Sequence, residues 1–380
     1  MITGAQKSGS FKTLRGGTLR VKLTRRQFLA SLGAAAALAS IGAYYWIFPK
    51  REERVLRVYN YSAYINPDII KDFESKYGVK VIYDEYESAE EAYAKLQLGG
   101  GGYDVIVLTD QYVPQAVKKG LVAQLDKTRI PNLGNVDRVF FENNFDPGLR
   151  YAVPYAWGTT GIGVNRDYVA EGEIEGYEQL FDTKVFLPRH KGKVSMLEEF
   201  LEVVNAAKLY LGIPLNDWSE ESKQRIIELL REQRDFLAGY YGASVYIPAL
   251  AKGDLHAAHA WSGDVVQAQS ENKSVEYVLP KEGAFVWIDF MVIPVNARSP
   301  DLAYEWINFL LDPAVAAKNS SYTYYPSPVK RELLEGLIGK DVLENPAVYP
   351  PSGTKLVQTY PLDESALKVV EEISTAVKRV

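Results

Sequence analysis

The chain has 380 residues, with 43 Lys and Arg against 48 Asp and Glu, and no cysteine. That length is too great for one typical core and predicts two domains. The lack of cysteine excludes disulfides, thiolate metal sites, a cysteine nucleophile and lipidation of a thiol. Charge is uneven: nine basic residues and no acidic one precede Glu52, which leaves 34 basic against 48 acidic groups, net −14, in the rest. An acidic globular part argues against nucleic-acid binding and favours attraction of cations.

Residues 1–50 read as a targeting segment outside the fold. Thr24-Arg-Arg-Gln-Phe-Leu29 resembles the twin-arginine export motif. The uncharged run from Phe28 to Phe48 is, at about 20 residues, long enough to span a bilayer. Its basic flank should stay in the cytoplasm and the acidic bulk outside. Ala37-Leu-Ala39 offers a small-residue cleavage site, whereas Tyr44-Tyr-Trp46 suits the outer membrane interface and favours an uncleaved anchor.

Residues 55–59 are the first predicted strand, running into Asn60-Tyr-Ser-Ala-Tyr64. Asn66-Pro67 starts a helix with Ile69, Ile70 and Phe73 at helical spacing, and Gly78 stops it. A second strand over 79–83 is followed by a helix over 88–98, with a capping-box pattern from Ser88 to Glu91. The four glycines at 99–102 lack the Lys-Ser or Lys-Thr of a phosphate loop. A third strand covers 103–108. This alternation predicts a parallel, doubly wound sheet, whose ligands bind beyond the carboxyl ends of the strands. Tyr61, Ser62 and Tyr64 after the first strand and Thr109, Asp110 and Gln111 after the third fall on that rim.

A short helix over 115–120 and a polar loop to about 149 lead to a glycine-rich extended piece over 151–165, the first crossing between domains. The α/β alternation then restarts. A strand over 193–197 precedes a helix in which Glu199 and Glu202, three apart, share one face near the N-terminus. The helix dipole favours carboxylates there whether or not a ligand exists. A long amphipathic helix spans 220–239. A strand over 255–261 ends at Trp261, and Asp264 opens the next helix, again on a ligand rim. His256 and His259 point to opposite faces if this is a strand and could chelate one ion only if it were a helix. His190, between Arg189 and Lys191, reads as a surface turn.

Residues 283–296 are a strand rich in aromatic and β-branched residues. Alternation puts Phe285, Trp287 and Asp289 on one face. A buried carboxylate needs a partner, an exposed strand end or a proton. A ligand cation held by the carboxylate and the ring faces is one solution; an Asp that merely caps the following turn is the plainer one. This strand is the second crossing. Helices follow at 300–311 and from Pro313, then a tyrosine-rich loop over 320–328, a return over 348–361, and a final helix over 364–378.

From about Val55 onward these pieces together resemble the spermidine/putrescine-binding proteins of polyamine ABC transporters. The resemblance rests on Tyr59-Asn-Tyr-Ser-Ala-Tyr64, Tyr86-Glu-Ser88, Tyr93-Ala-Lys-Leu96, Tyr103-Asp-Val-Ile-Val107, Val153-Pro-Tyr-Ala-Trp-Gly158, Gly161-Ile-Gly-Val-Asn165, Trp261-Ser-Gly-Asp264, Trp287-Ile-Asp289 and Tyr325-Pro-Ser-Pro328, in that order. It implies an α/β, periplasmic-binding-protein-like (type II) fold: two doubly wound α/β lobes joined by crossover strands around a ligand cleft. Residues 54–160 plus 289–330 would form lobe 1, and 165–285 plus 335–380 lobe 2.

The resemblance also implies a ligand set of Tyr61, Ser62, Tyr64, Thr109, Gln111, Glu199, Glu202, Trp261, Asp264, Trp287, Asp289, Tyr325 and Gln358, with Ser244 a weaker match. Tyr61 stands where the family usually has Trp, Ala63 replaces an acidic residue of some members, and Gln111 replaces a Tyr of one subfamily. Ring faces suit both the methylenes and the ammoniums of a polyamine. The expected partners are the polyamine, a transporter permease and, through residues 1–50, the membrane. A monomer outside the cytoplasm is expected, with no cofactor, no metal, no catalysis and no nucleic acid. Two other readings are a ferric-ion binder using Tyr324, Tyr325, Tyr240 and Tyr241, and a glycosidase using Glu199 and Glu202.

Overall fold

The computed structural model describes residues 54–351 and 353–378. The twin-arginine motif and the membrane-spanning run lie outside them. No helix among the described residues is long and apolar enough to cross a membrane.

The first lobe begins as the sequence predicts. Strand β1 (Val55–Tyr61) alternates until its last four residues, all buried. Helix α1 (Pro67–Tyr77) has Asn66 as N-cap, its side chain accepting from the Asp68 N–H, Pro67 in the first turn, and Gly78 in the left-handed region at its end. Strand β2 (Lys80–Tyr86), helix α2 (Ala89–Gln97), strand β3 (Val105–Thr109) and helix α3 (Val113–Lys118) follow. Both β2 and β3 pair with β1 in parallel.

Strand β4 (Ala152–Asn165) is 14 residues long and serves both lobes. The second lobe then builds strand β5 (Val194–Leu197), helix α4 (Phe200–Leu211), helix α5 (Glu220–Arg234), strand β6 (Gly239–Tyr241) and helix α6 (Ala243–Lys252). Strand β7 (Ala257–Trp261), helix α7 (Ser262–Glu271) and strand β8 (Val275–Val278) complete it, and β5 lies parallel to both β6 and β7. Strand β9 (Ala284–Val292) crosses back to helices α8 (Pro300–Leu310) and α9 (Pro313–Thr323). Strand β10 (Leu356–Gln358) and helix α10 (Glu364–Lys378) end the chain, α10 packing on α5 and α4.

The strand order β2-β1-β3-β9-β4-β7-β5-β6 puts the two crossing strands side by side at the centre, with β10 beside β9 and β8 beside β4. These central pairs are antiparallel, and the flanking trios are parallel. The result is two α/β lobes joined by crossing strands, with the carboxyl ends of both trios facing the seam.

Two local expectations need correction, at residues 320–323 and at His190, and two elements were not foreseen. Residues 320–323 are not a loop but the last turn of α9, which Tyr324 ends in the left-handed region at φ 58°. Helix α6 and strand β8 carry no distinct periodic signal, and α6 holds Pro248 within it. His190 is buried rather than on a surface turn, because the fold brings His256 (Nδ1 to Nδ1, 2.9 Å) and Glu173 (3.2 Å) onto its ring. His259 lies in β7 with both ring nitrogens buried and unpartnered, and burial pushes it down to about 3, a neutral core residue.

Candidate ligand-binding site

Sheet register assembles the site. Thr109 at the end of β3 lies opposite Asp289 on β9, and β4 places Ala156 opposite Asp289 and Gly158 opposite Trp287. On its other edge, β4 sets Thr160 against Trp261. Strand ends from both lobes therefore meet around one space. Glycine is needed at two of these contacts: a Cβ on Gly158 would meet the Trp287 ring at 2.7 Å, and one on Gly263 would meet the Tyr325 ring at 2.7 Å. Ala63, at φ 54°, turns the chain after β1, and both Ser62 and Tyr64 reach the same space as Tyr61.

The space is a narrow cavity, with about 30 Å³ open to the centre of a water-sized sphere. Twelve of the expected ligand residues line it: Tyr61, Ser62 and Tyr64; Thr109 and Gln111; Glu199 and Glu202; Trp261 and Asp264; Trp287 and Asp289; and Tyr325. Ala243, at the start of α6, also lines it. Gln358 does not: its side chain is exposed on the short strand β10, and it is the next residue, Thr359, that turns inward to Asp110 at 3.3 Å. Asp110 points away from the cavity, its Oδ2 accepting from the Ile288 N–H at 3.1 Å. Tyr324, Tyr240 and Tyr241 are absent from the lining, so the tyrosine cluster of an iron site does not form there. Ser244 is exposed beside it.

The rings make the walls. Trp261 meets Tyr61 edge-on at 5.6 Å, Tyr64 meets Tyr325 edge-on at 4.8 Å, and Trp287 lies 5.5 Å from Tyr325. The Trp287 indole N–H donates to Thr160 Oγ1 at 3.0 Å, which fixes the plane of the ring.

The carboxyls are held in two ways. Asp289 Oδ2 accepts from the Tyr64 hydroxyl at 2.7 Å. Asp264 Oδ1 accepts from the Tyr325 hydroxyl at 2.6 Å, and its Oδ2 from the Tyr246 hydroxyl. Glu199 caps α4 and Glu202 lies in the first turn. One oxygen of each, Glu199 Oε1 and Glu202 Oε2, is buried with no hydrogen-bond partner.

Burial pushes Asp289 up to about 7, against the hydrogen bonds from Tyr64 and Thr109. Burial likewise raises Asp264 to about 7, its two tyrosine donors opposing. Glu202 rises to about 7 by burial, opposed by Thr160 and reinforced by Glu90 and Asp289. Glu199 goes well above the usual carboxyl range, through burial first and the neighbouring Glu90 second.

Among the described residues, no ion pair involves Asp289, Asp264, Glu199 or Glu202. Four buried acids without an internal cation are costly unless something positive joins them. Ring faces between them suit a guest that alternates ammonium and methylene groups. Sequence reading missed Tyr246, which no local signal marks because its helix was itself not foreseen.

The family model for bacterial extracellular solute-binding proteins matches residues 68–349. The chain is similar to a putrescine/agmatine-binding protein of Pseudomonas aeruginosa, 33% identical over 363 residues, which is 92% of this chain and 95% of that one. It is also similar to the putrescine-binding periplasmic protein PotF of Escherichia coli, 32% identical over 345 residues, 87% of this chain and 91% of that one. Among solved structures, the spermidine/putrescine ABC transporter substrate-binding protein PotD of Streptococcus pneumoniae matches with a TM-score of 0.66 at 26% identity, over 86% of this chain and 100% of that one.

Proposed function

The chain belongs to the family of bacterial extracellular solute-binding proteins, and from that premise we propose that its cavity takes a polyamine of the putrescine and spermidine class for an ABC uptake transporter. As a member of that family it binds its solute outside the cytoplasm and is not an enzyme. The observation that carries the reading is the set of buried, ring-walled carboxyls to which the described residues supply no Lys or Arg. Asp289 and Glu202 take ammonium groups, Trp287, Trp261, Tyr61 and Tyr325 cover the methylenes, and Asp264 fixes Tyr325. Thr109, Gln111, Ser62, Tyr64 and Glu199 complete the wall. The iron reading is not favoured: the relatives bind polyamines by name, and the extra tyrosines lie off the cavity.

Lobe 1 comprises residues 54–160 plus 289–330, and lobe 2 residues 165–285 plus 335–380. The pairing of β3 with Asp289–Val292 and of β7 with Thr160–Val164 supports this division. Export by the twin-arginine motif and retention through residues 28–48 as an anchor belong to the same proposal, supported by the basic flank and the uncharged run. The protein works as a monomer, without nucleic acid.

Calorimetric titration with putrescine and spermidine tests the reading. Exothermic, salt-sensitive, one-to-one binding that is strongly weakened in Asp289→Asn is expected. Equal binding by variant and parent would remove Asp289 from the site, and no heat with any amine would overturn the function. Recovery of the full-length chain in the membrane fraction tests the anchor; a mature chain starting near residue 40 would select cleavage.

A further inference from the structure

Glu90 lies outside the lining of the cavity, yet it reaches Glu199 from the other lobe. It is the second residue of α2, while Glu199 is the N-cap of α4. The two helices meet N-terminus to N-terminus and exchange carboxylates. Glu199 Oε2 accepts from the Ala89 N–H, and Glu90 Oε1 accepts from the Leu201 N–H at 3.2 Å. Each acid thus satisfies a free donor at the end of the opposite helix, where the dipole also favours it. That leaves Glu90 Oε2 and Glu199 Oε1, both buried and both without a donor. After burial, the neighbouring Glu90 charge is the largest cause that raises Glu199. Two ionised carboxylates so placed repel, whereas one proton between them satisfies both orphaned oxygens.

The other groups facing Glu199 supply no positive charge. Glu202 comes from α4, Tyr61 from β1, Tyr86 from β2, Tyr112 from the turn after β3 and Asp289 from β9. Glu90 itself also lines an outer groove, together with Lys119, Lys368 and Lys378. Lys119 pairs with Glu364 at 3.1 Å, Lys368 with Glu372 at 4.0 Å, and Lys378 sits 5.1 Å above the Phe200 ring.

We propose that Glu90 is a positioning residue of the amine site: across the closed cleft it shares one proton with Glu199, joining the two helix ends and setting how much negative charge Glu199 shows the ligand. The bonds exist only when the lobes are together, so closure on a ligand takes up that proton. This rests on the polyamine reading of the cavity. A permanently protonated analogue is available in Glu90→Gln, whose amide accepts from Leu201 and donates to Glu199 without titrating.

Putrescine binding to the parent chain and to Glu90→Gln at about pH 8, measured calorimetrically in buffers of different ionisation heat, gives the proton count of each. The parent is expected to take up about one proton more per putrescine than the variant, with affinity falling more steeply above neutral pH by up to tenfold per pH unit. Identical counts would make Glu90 a plain helix-end acceptor and overturn the proposal while leaving polyamine binding intact. No putrescine binding by the parent would instead defeat the functional reading. A second measurement needs no variant: infrared difference spectra of the parent on adding putrescine at about pH 8 should gain the carbonyl band of a protonated carboxyl. Its absence overturns the proposal.

Discussion

The Tyr64 hydroxyl donates to Asp289 Oδ2 over 2.7 Å, tying the loop after β1 to a crossing strand 225 residues later. Thr109 stands opposite Asp289 in the sheet register and adds a second hydrogen bond. The carboxylate is therefore aimed by the protein's own donors, which lowers the ordering cost of binding.

Asp289→Asn keeps the size of that side chain and removes its charge. Losing one partner of a desolvated charge pair costs about 2–5 kcal/mol of affinity, so putrescine should bind roughly 30-fold to several thousandfold more weakly. Tyr64→Phe removes only a hydrogen bond to a charged group, about 1.5–3 kcal/mol. Calorimetry on both variants should rank them in that order; a larger loss in Tyr64→Phe would mean that the ring, not the carboxylate, dominates.

The raised carboxyls set a pH dependence whose sign can be worked out. Asp289, Asp264 and Glu202 each hold their proton to about 7 in the folded, closed cavity, whereas the unfolded chain releases such protons near pH 4. Between those values the folded form binds more protons, so this stabilisation is present at low pH and is lost as pH rises through about 7. A bound ammonium favours the ionised carboxylates and works the other way. The melting shift produced by putrescine should widen from about pH 5 to about pH 7. Melting curves with and without the amine check this, and a shift that narrows over that interval would contradict it.

Strand alternation made Trp287 and Asp289 legible as one face, since period two needs only local sequence. The rim residues were legible because carboxyl ends of parallel strands collect ligands whatever the fold's details. Tyr246 was not, because its helix is interrupted by Pro248 and flanked by Gly242 and Gly253, which masks the helical period. Gln358 lies off the cavity for a different reason: a three-residue strand leaves its register open to a slip of one residue, and such a slip reverses which side chain points in. His190 looked exposed between two cations, but Glu173 and His256 reach it from distant segments that only the tertiary fold brings together.

Gly263 should tolerate no side chain. A Cβ there would meet three atoms of the Tyr325 ring at 2.7 Å. That ring cannot retreat, because its hydroxyl is bonded to Asp264 at 2.6 Å and the Tyr325 carbonyl accepts from Ser320. Overpacking of this kind costs about 1–3 kcal/mol. Gly263→Ala should therefore melt earlier and bind putrescine more weakly, whereas Gly336→Ala, where no atom lies within 4 Å but φ is +81°, should leave affinity unchanged and lower stability alone.

Glu87 bridges the lobes beside the cavity without lining it. Its Oε2 accepts from Ser62 Oγ at 2.9 Å on the first lobe, and its Oε1 from Ser244 Oγ at 2.6 Å at the start of α6 on the second. A Cβ on Gly242 would collide with the same carboxylate at 2.0 Å, so the seam is shaped around it. Neither bond involves the guest, and the one to Ser244 cannot exist with the lobes apart. Its loss should therefore destabilise the closed complex and leave the encounter of amine with open cleft alone. One hydrogen bond across the seam is worth about 0.5–1.5 kcal/mol, which predicts a roughly 2- to 12-fold weaker affinity for Glu87→Ala. Stopped-flow measurement of putrescine binding and release separates the rates. The off-rate should carry the change; a fall confined to the on-rate would show that Glu87 steers the incoming cation instead of holding the lobes shut.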